Sequence, residues 1–599
     1  MKDFSIPKII EDINQYGVNL FIGAGISKDP PSDLPLADEF RSYTFNKLCL
    51  LSQSKLKRLK FINELRDIPF EYYIQILNEE PGQVGFFECF LKILNSGKPN
   101  WNHNLIANMV KSNKVSRIVT TNFDRLLERV LEKEKIEFGV AFTENEFSKM
   151  ELGVIASPLI SKIHGSVEDP SSIRATLKTI SQRYLLESRK KVLEHLFIES
   201  DKDILILGYS CSDEFDINPF LRTIQSKNEV FFLSHKTQKG FTIKPLDDPL
   251  LNFRGCKIEG NTREFLGLLS TKLDITIDKD NMNSHKLYRK SEKTSWQEDV
   301  DNWLESLSVG QKLYLLGRVL NEIGKFDEAL SVYKMGLEHS DTYLFALIQR
   351  SISYIYQIKA RFEEAEKIAR EIVPIFQEFN DLIRTAETIK IIGWICKRRG
   401  EYQEAEELFQ KSLNISRSID YQFGISHSLS ELGMLYKRKG ELKKAEAYYK
   451  LCLEIRRDSG DLKGSAEIIH ELGSINRMKN NTEKAEELFN ESLEIKSKIG
   501  DQHGIAASLH ELGNIYRSKN DFSLAIDYFR KSLQITRKIP DDAGVSWTLH
   551  DLASVYFVMR EYDKAEKLYR KSLGIKKRLK DQRGIATSLT QLGLIRMHQ

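Results

Sequence analysis

Residues 404–409, EAEELF, form a stretch that recurs four more times along the C-terminal half of the chain. Every copy has an alanine followed four residues later by an aromatic residue. The alanines are Ala405, Ala445, Ala485, Ala525 and Ala565, spaced 40 residues apart. The series extends back to Ala365 at the same spacing and to Ala329, 36 residues before that. A period this regular predicts a stack of similar units rather than one globular core.

A second marker has the same period and pairs a leucine with a glycine. It stands at Leu432-Gly433, Leu472-Gly473, Leu512-Gly513 and Leu592-Gly593, with Leu552-Ala553 in the remaining place. Apolar residues at helical spacing surround both markers and predict two amphipathic helices in each unit, about 504–517 and 522–538 in one of them. We expect the small marker residues to lie where two helix backbones approach closely.

These markers resemble the tetratricopeptide repeat, which has L-G-x-x-Y in its first helix and A-x-x-x-F in its second. The resemblance implies an all-α solenoid over residues 303–599, with about seven repeats and a terminal helix. The period is 40 residues here instead of the usual ~34, as in variants with longer helices. Such arrays present an extended concave surface suited to binding a protein partner.

Residues 1–275 have a different pattern, in which short apolar runs alternate with helical stretches. The runs are 18–22, 115–120, 159–163, 204–207 and 230–233. This alternation predicts an α/β domain with a Rossmann-like, doubly wound parallel sheet. The polar composition within residues 276–302 predicts a linker between this domain and the array.

Residues that could carry chemistry follow four of the predicted strands. Gly23, Ala24, Gly25 and Ser27 follow the first, Thr121, Asn122 and Asp124 the second, His164 the third, and Gly208, Ser210 and Asp213 the fourth. Because the carboxyl ends of parallel strands form the ligand-binding edge of an open α/β sheet, we expect these residues to share one crevice. A glycine-rich turn lets backbone N–H groups approach a pyrophosphate, although Lys28 replaces the third glycine of the dinucleotide fingerprint. Taken singly, Asn122 and Asp124 could instead cap a helix, and His164 could be structural.

In this order and spacing, the motifs G-A-G-I-S, T-N-F-D, H-G and G-Y-S resemble the Sir2 (sirtuin) NAD-consuming domain over about residues 10–275. The resemblance implies that Asn122 orients the nicotinamide ribose, that His164 is the catalytic base and that Asp124 lies near the nicotinamide pocket. It assigns dinucleotide binding to Gly23, Ala24, Gly25, Ser27, Thr121, Gly208, Ser210 and Asp213. Residues 99–105 also resemble the family's helix before the T-N-F-D strand.

The chain departs from the protein deacylases of that family, which carry a four-cysteine zinc module after the histidine. His164 and Gly208 are 44 residues apart, and no cysteine lies between them. The six cysteines of the chain form no C-x-x-C pair, so we expect no metal. The missing lobe would help to clamp an acetyl-lysine peptide. The stretch 208–213, GYSCSD, resembles instead the Sir2-like domains of bacterial defence proteins that hydrolyse NAD.

An NAD+ glycohydrolase is the function that these features favour, with NAD+ as the substrate and with nicotinamide and ADP-ribose as products. Breaking the nicotinamide–ribose bond develops positive charge on the ribose, and it needs a fixed ribose, a shielded site and a base that titrates near neutral pH. Two alternatives stay open: an NAD-dependent protein deacylase or ADP-ribosyltransferase, and a non-catalytic NAD or ADP-ribose sensor scaffold. In families that join these modules, the resemblance implies antiviral defence by abortive infection, with the array as the switch.

Charge and hydropathy limit the binding partners and the cellular location that we expect for the protein. Lys and Arg number 89 against 85 for Asp and Glu, so the net charge of +4 predicts no direct binding of nucleic acid. No apolar run approaches the ~18 residues of a membrane span. Glu11 and Asp12 stand where a secretory signal would be apolar. We expect a cytoplasmic homo-oligomer that a protein partner triggers through the array.

A column of polar pairs follows the 40-residue period on the first helices. The pairs are His470-Glu471, His510-Glu511 and His550-Asp551, with Ser430-Glu431 one unit earlier. Two interpretations stay open. The column is either repeat consensus without a function of its own, or a periodic site for a partner peptide or nucleotide.

Overall fold

The computed structural model of the protein describes residues 4–28, 32, 34–50, 64–68, 70–78, 83–151, 159–169, 171–173, 187–210, 217–275, 295–459, 461–539 and 541–598. The chain divides into two compact units, residues 1–368 and 369–599. The first unit therefore contains the α/β region together with the first helices of the array.

One sheet organises the first unit. Its strands in the described residues are β1 Val18–Ile22, β2 Val115–Thr120, β3 Gly139–Ala141, β4 Leu159–Lys162, β5 Ile204–Leu207, β6 Glu229–His235, β7 Thr242–Lys244 and β8 Arg254–Gly260. The strand order is β3-β4-β2-β1-β5-β6-β8-β7, and all neighbours are parallel except β7 and β8. The predicted doubly wound parallel sheet is confirmed. The chain leaves β1 toward β2 on one side and returns to β5 on the other, and a crevice forms at such a reversal.

Helices cover both faces of this sheet. The helices of the first unit are α1 Ile6–Tyr16, α2 Ala37–Cys49, α3 Phe70–Leu77, α4 Gln83–Ser96, α5 Trp101–Lys111, α6 Leu126–Lys133, α7 Glu144–Glu151, α8 Glu187–Glu194, α9 Ile217–Leu221, α10 Thr262–Lys272, α11 Ser295–Ser306, α12 Val309–Glu322, α13 Phe326–Leu337 and α14 Thr342–Ile358. Side chains of β1 alternate between two apolar cores. Leu20 and Ile22 join one core, and Phe21 joins the other, as the two-residue period of a strand requires.

The region expected to be a linker is partly helical. Residues 276–294 lie outside the described residues, whereas 295–302 belong to α11. Trp296 and Trp303 are buried on this helix, and they contact Phe40 and Phe86 of the α/β region. These apolar residues have helical spacing, but the acidic residues between them give the stretch the polar composition on which the linker prediction rested.

The array continues as regular helix pairs. Its further helices are α15 Phe362–Glu378, α16 Leu382–Arg399, α17 Tyr402–Ser418, α18 Gln422–Arg438, α19 Leu442–Asp458, α20 Leu462–Met478, α21 Thr482–Lys498, α22 Gln502–Ser518, α23 Phe522–Thr536, α24 Asp542–Val558, α25 Tyr562–Arg578 and α26 Gln582–His598. Several first helices begin at an aspartate whose Oδ1 accepts the N–H three residues later, and these are Asp461, Asp501 and Asp541. The predicted all-α array is confirmed.

The glycine marker of the first helices faces an aromatic ring. A Cβ placed on Gly433, Gly473 or Gly513 would lie only 2.7–2.9 Å from an atom of that ring. The ring belongs to the aromatic residue four positions after the marker alanine of the same unit. The glycine is thus small because a side chain fills its space, and our expectation of two backbones in close approach was wrong at these positions.

The histidine column lies at the joints between units. The rings of His470, His510 and His550 stand edge-on to Phe489, Phe529 and Tyr569, with centroids 5.1, 5.3 and 4.9 Å apart. Their Nδ1 atoms lie 3.1–3.4 Å from a hydroxyl of the next unit, on Ser508, Thr548 and Ser588. The acidic neighbours pair with the preceding unit, as Lys437–Glu471, Arg477–Glu511 and Arg517–Asp551. These contacts account for the column by packing and favour the consensus interpretation.

Acid should destabilise the second unit through histidines that are half-buried in its packing. Burial, with help from the nearby Lys496 and Lys437 charges, lowers the pKa of His470 to about 3. An unfolded histidine has a pKa near 6.5, so the unfolded chain binds the extra proton first as the pH falls. The stability present above pH 6.5 is therefore lost progressively toward pH 3, by about 2 kcal/mol for His470 between pH 7 and pH 5.

Thermal unfolding at pH 7 and pH 5 measures this effect. We expect the His470→Gln variant to lose less stability than the wild type over this interval, because glutamine cannot take the proton. His503→Gln is the matched control, since the His503 side chain is 63% exposed. Equal losses in His470→Gln and wild type would contradict the expectation.

Candidate functional site

A cavity of about 300 Å³ opens at the carboxyl ends of β1, β2, β4 and β5. Its lining includes most of the residues expected from the sequence, namely Ala24, Gly25, Ser27, Thr121, Asn122, Asp124, His164, Gly208 and Ser210. Apolar residues form much of the rest, among them Leu34, Phe40, Ile68, Phe70, Phe90, Ile93 and Leu94. Gly23 is not part of the lining, and Asp213 lies outside the described residues. The structure thus brings most of the expected residues into one crevice.

The glycines of this site join two loops. The Gly23 N–H donates to the Leu207 carbonyl and the Gly25 N–H to the Gly208 carbonyl, both at 2.9 Å. A Cβ on Gly23 would lie 2.6 Å from the Gly208 oxygen. The loops after β1 and β5 therefore meet too closely for side chains at this point. The stretch that follows, Ala24–Ser27, is one short 3-10 turn.

The turn after β2 is fixed by its own hydroxyl. Thr120 Oγ1 donates to the Ile22 carbonyl and accepts the Asn122 N–H, each at 3.0 Å. Two residues later, Asp124 Oδ1 accepts the N–H of Leu126, the first residue of α6, at 3.0 Å, although the N-cap position itself is Arg125. Its other oxygen, Oδ2, accepts the Ser27 hydroxyl at 3.1 Å. Asp124 thus holds the start of α6 and also ties the two loops together.

Asn122 lines the cavity and carries a buried acceptor without a partner in the described part of the chain. The residue is only 8% exposed, and its Nδ2 lies 3.4 Å from Ser27 Oγ. Among the described residues, no donor reaches its buried Oδ1. A buried amide oxygen without a partner costs free energy unless a ligand or a water supplies the donor.

His164 reaches the same cavity from β4. The residue is 3% exposed and its ring lies 6.0 Å from that of Phe123. Gly165 follows with a φ of +93°, and its N–H donates to the Lys162 carbonyl at 3.2 Å. This tight turn follows the end of β4 at Lys162 and places His164 in the lining of the cavity.

His103 is a part of the site to which no role was given from the sequence. It lies on α5 and is 1% exposed, with Nε2 3.2 Å from Ser27 Oγ and Nδ1 2.6 Å from Asn100 Oδ1. Burial lowers the pKa of His103 to about 3, so the ring is neutral at pH 7. It can hold the Ser27 hydroxyl but cannot serve as a base near neutral pH. The resemblance of residues 99–105 to the family's helix was the only signal for it.

Arg41 places a cation in the cavity wall. Its Nη2 donates to Asp38 Oδ1 at 2.5 Å and its Nη1 to the Ile68 carbonyl. Among the described residues, its buried Nε has no acceptor. Arg41 is thus paired with Asp38, which also lines the cavity, and the site combines buried acceptors with an ion pair, a set suited to a ligand that carries hydroxyl groups.

One group of candidate metal ligands occurs among the described residues, in the array. Cys396, Glu401 and Glu404 bring ligand atoms within 4.8 Å of one another. Arg399 and Arg370 already pair with the two carboxylates. Neutralised carboxylates bind a cation weakly, so this group carries no metal assignment.

Comparison with known families agrees with this architecture. A family described as SIR2-like domain matches residues 116–249. Tetratricopeptide repeat families match residues 344–418, 424–498, 466–538 and 545–579. No curated protein matches the chain. In the described part of the chain, no helix combines the length and the apolar character that crossing a membrane requires.

Solved structures that resemble the chain include three helical-repeat matches. BtubC (BKLC) from P. vanneervenii has 23% identity and a TM-score of 0.32, over 37% of this chain and 90% of that one. The apo form of RapI has 22% identity and a TM-score of 0.39, over 45% and 98%. Aspartyl phosphate phosphatase F from Bacillus subtilis has 15% identity and a TM-score of 0.38, over 52% and 83%. With the family matches and the sheet described above, the chain carries a SIR2-like domain followed by tetratricopeptide repeats.

Proposed function

We propose that the protein is an NAD+ glycohydrolase that cleaves NAD+ to nicotinamide and ADP-ribose. One observation carries the proposal: Asn122, with an unpartnered buried oxygen, and His164 line the same cavity in a SIR2-like domain. The SIR2-like match supports a function that involves NAD. That the reaction is a hydrolysis is our inference from the residues that line this cavity.

The residues present fit a dinucleotide. The orphaned Oδ1 of Asn122 would accept a ribose hydroxyl, and Arg41, whose charge Asp38 pairs, would add hydrogen-bond donors. The apolar part of the lining offers rings against which a flat heterocycle can pack. NAD+ supplies a nicotinamide that leaves as a neutral base, so the protein needs no strong acid.

Each polar residue then has a separate task. Asn122 holds a ribose hydroxyl or the attacking water, which removes the entropic cost of orienting it in the reaction. As the attacking water bonds to the ribose carbon and the nicotinamide–ribose bond breaks, His164, whose imidazole belongs to a residue of the cavity lining, accepts the proton that this water loses. Asp124 and Ser27 hold the Asn122 loop against the loop after β1.

An enzyme of this kind would empty its own cell of NAD+ if it were always active. We therefore propose that the array switches it in response to a protein partner, in a cytoplasmic homo-oligomer that acts in antiviral defence by abortive infection. The match to tetratricopeptide repeats supports a role in protein binding.

Purified full-length protein incubated with NAD+ tests the activity. We expect a basal release of nicotinamide and ADP-ribose without any acetylated peptide or partner, because the array is proposed to raise turnover rather than to create it, and no release from the Asn122→Ala/His164→Ala double variant. Release that depends on an acetylated peptide would point to a deacylase and contradict the proposal. Tight binding of NAD+ without turnover would do the same, because it identifies a sensor.

A further inference from the structure

A buried ion pair lies directly beneath the candidate site. Lys162 is the last residue of β4, and its Nζ lies 2.6 Å from Glu128 Oε1 on α6. The two side chains are only 1% and 4% exposed. The same ammonium group donates to the backbone carbonyl of Asp124. Neither residue lines the cavity, so the pair does not contact a ligand there.

The pair connects the two segments that carry Asn122 and His164. Lys162 precedes His164 by two residues, and the Asp124 carbonyl follows Asn122 by two residues. The ladder between β2 and β4 ends with the pairing of Thr120 and Lys162, and beyond it the Val167 N–H donates to the Phe123 carbonyl at 3.1 Å. The Nζ contacts add a side-chain connection between the same two segments, on the side of α6.

An ion pair is a costly way to fill a core. Removing two charges from water costs about as much as their attraction returns, and apolar residues of similar volume often give equal or greater stability. A buried pair can instead fix geometry, because charged hydrogen bonds are short and directional. Lys162 has one bond to a side chain of α6 and one to the backbone of the Asn122 loop, which is the arrangement that fixing the loop requires.

We propose that Lys162 is a positioning residue that, with Glu128, sets the placement of His164 relative to Asn122. The inference rests on the proposed hydrolase function for its kinetic readout but not for its structural one. It predicts that turnover depends on the pair even when stability does not.

The decisive variant is Lys162→Met combined with Glu128→Leu, which replaces both charges by apolar side chains. Lys162→Met alone leaves Glu128 buried without a partner, so the unfolding temperature of this single variant should fall by roughly 10 °C. The double variant should regain most of that loss. Its kcat for nicotinamide release should still be at least about 30-fold below wild type, with KM changed less than about three-fold.

A matched control replaces another buried polar pair, which lies near the amino end of β1 in the same sheet. Asn19 of β1 donates to Ser200 Oγ at 2.5 Å, and both residues are buried. The Asn19→Leu/Ser200→Ala variant should keep the wild-type kcat. If Lys162 had a purely structural role, the Lys162→Met/Glu128→Leu variant would also keep the wild-type kcat. A wild-type kcat in that stable variant therefore overturns the proposal.

Two further measurements keep the test decisive. If the double variant does not fold, Glu128→Gln removes the charge without changing the volume, and an unchanged kcat then overturns the proposal, whereas a drop of about ten-fold supports it. If the wild type releases no nicotinamide, the proposed function fails and crystal structures decide. An unchanged arrangement of Asn122 and His164 in the double variant, or in Glu128→Gln, overturns the positioning role, and a displacement of one relative to the other supports it.

Discussion

Replacing Asn122 by alanine is expected to lower nicotinamide release by roughly 1,000-fold while the fold stays intact. The substitution removes the buried, unpartnered Oδ1 of a side chain that lines the cavity, so the proposed acceptor for a ribose hydroxyl or water is lost. The structural loss is small. The Nδ2 contact to Ser27 is long at 3.4 Å, and Ser27 keeps its stronger bond to Asp124.

Steady-state kinetics with thermal unfolding separates these effects. Asn108→Ala is a matched control, because Asn108 lies on α5 and its Nδ2 donates only within that helix, to the Asn104 carbonyl at 2.8 Å. It should retain wild-type kcat. The His164→Ala variant should lose activity to a similar degree, and the double variant should lose little more, since residues that act on one step are not additive. Full turnover by a folded Asn122→Ala protein would remove Asn122 from the mechanism.

Much of this site could be foreseen from the sequence because strands and ligand edges obey simple rules. The apolar run 18–22 predicts a buried central strand, and β1 is Val18–Ile22. Residues that directly follow such strands meet at one edge, so Asn122 and His164 could be placed together without any coordinates. The 40-residue period was equally informative for the array, because every unit packs its helices against the neighbouring units in the same way.

Contacts between distant residues were not visible in the sequence. Lys162 stands inside the apolar run 159–163, where an ionisable residue signals a buried partner, but nothing marks Glu128 as that partner. His103 meets Ser27 across 76 residues of chain. The helix α11 was missed because its buried residues are separated by acidic ones, and composition outweighed spacing in the prediction of a linker.

Gly208→Ala is expected to have the largest effect on the α/β fold of any single methyl group at this site. Gly208 has a φ of +65°, and an added Cβ would lie 2.7 Å from the Ile26 nitrogen and 2.9 Å from the Gly23 oxygen. Both are backbone atoms, so no side-chain rotation relieves the overlap. The loops after β1 and β5 would have to separate, at a cost of more than about 3 kcal/mol.

Gly240→Ala isolates the part of this cost that comes from the backbone conformation alone. Gly240 has a similar φ of +79°, but nothing lies within 4 Å of its added Cβ. It should lose only about 1 kcal/mol, the ordinary penalty of a left-handed alanine. Urea unfolding of both variants, with NAD+ affinity as a second readout, measures the difference. Equal destabilisation of Gly208→Ala and Gly240→Ala would show that the close approach of the two loops contributes nothing to stability. A Gly208→Ala variant that is less stable than Gly240→Ala and also fails to bind NAD+ would show that the shape of the crevice depends on the contact between these loops.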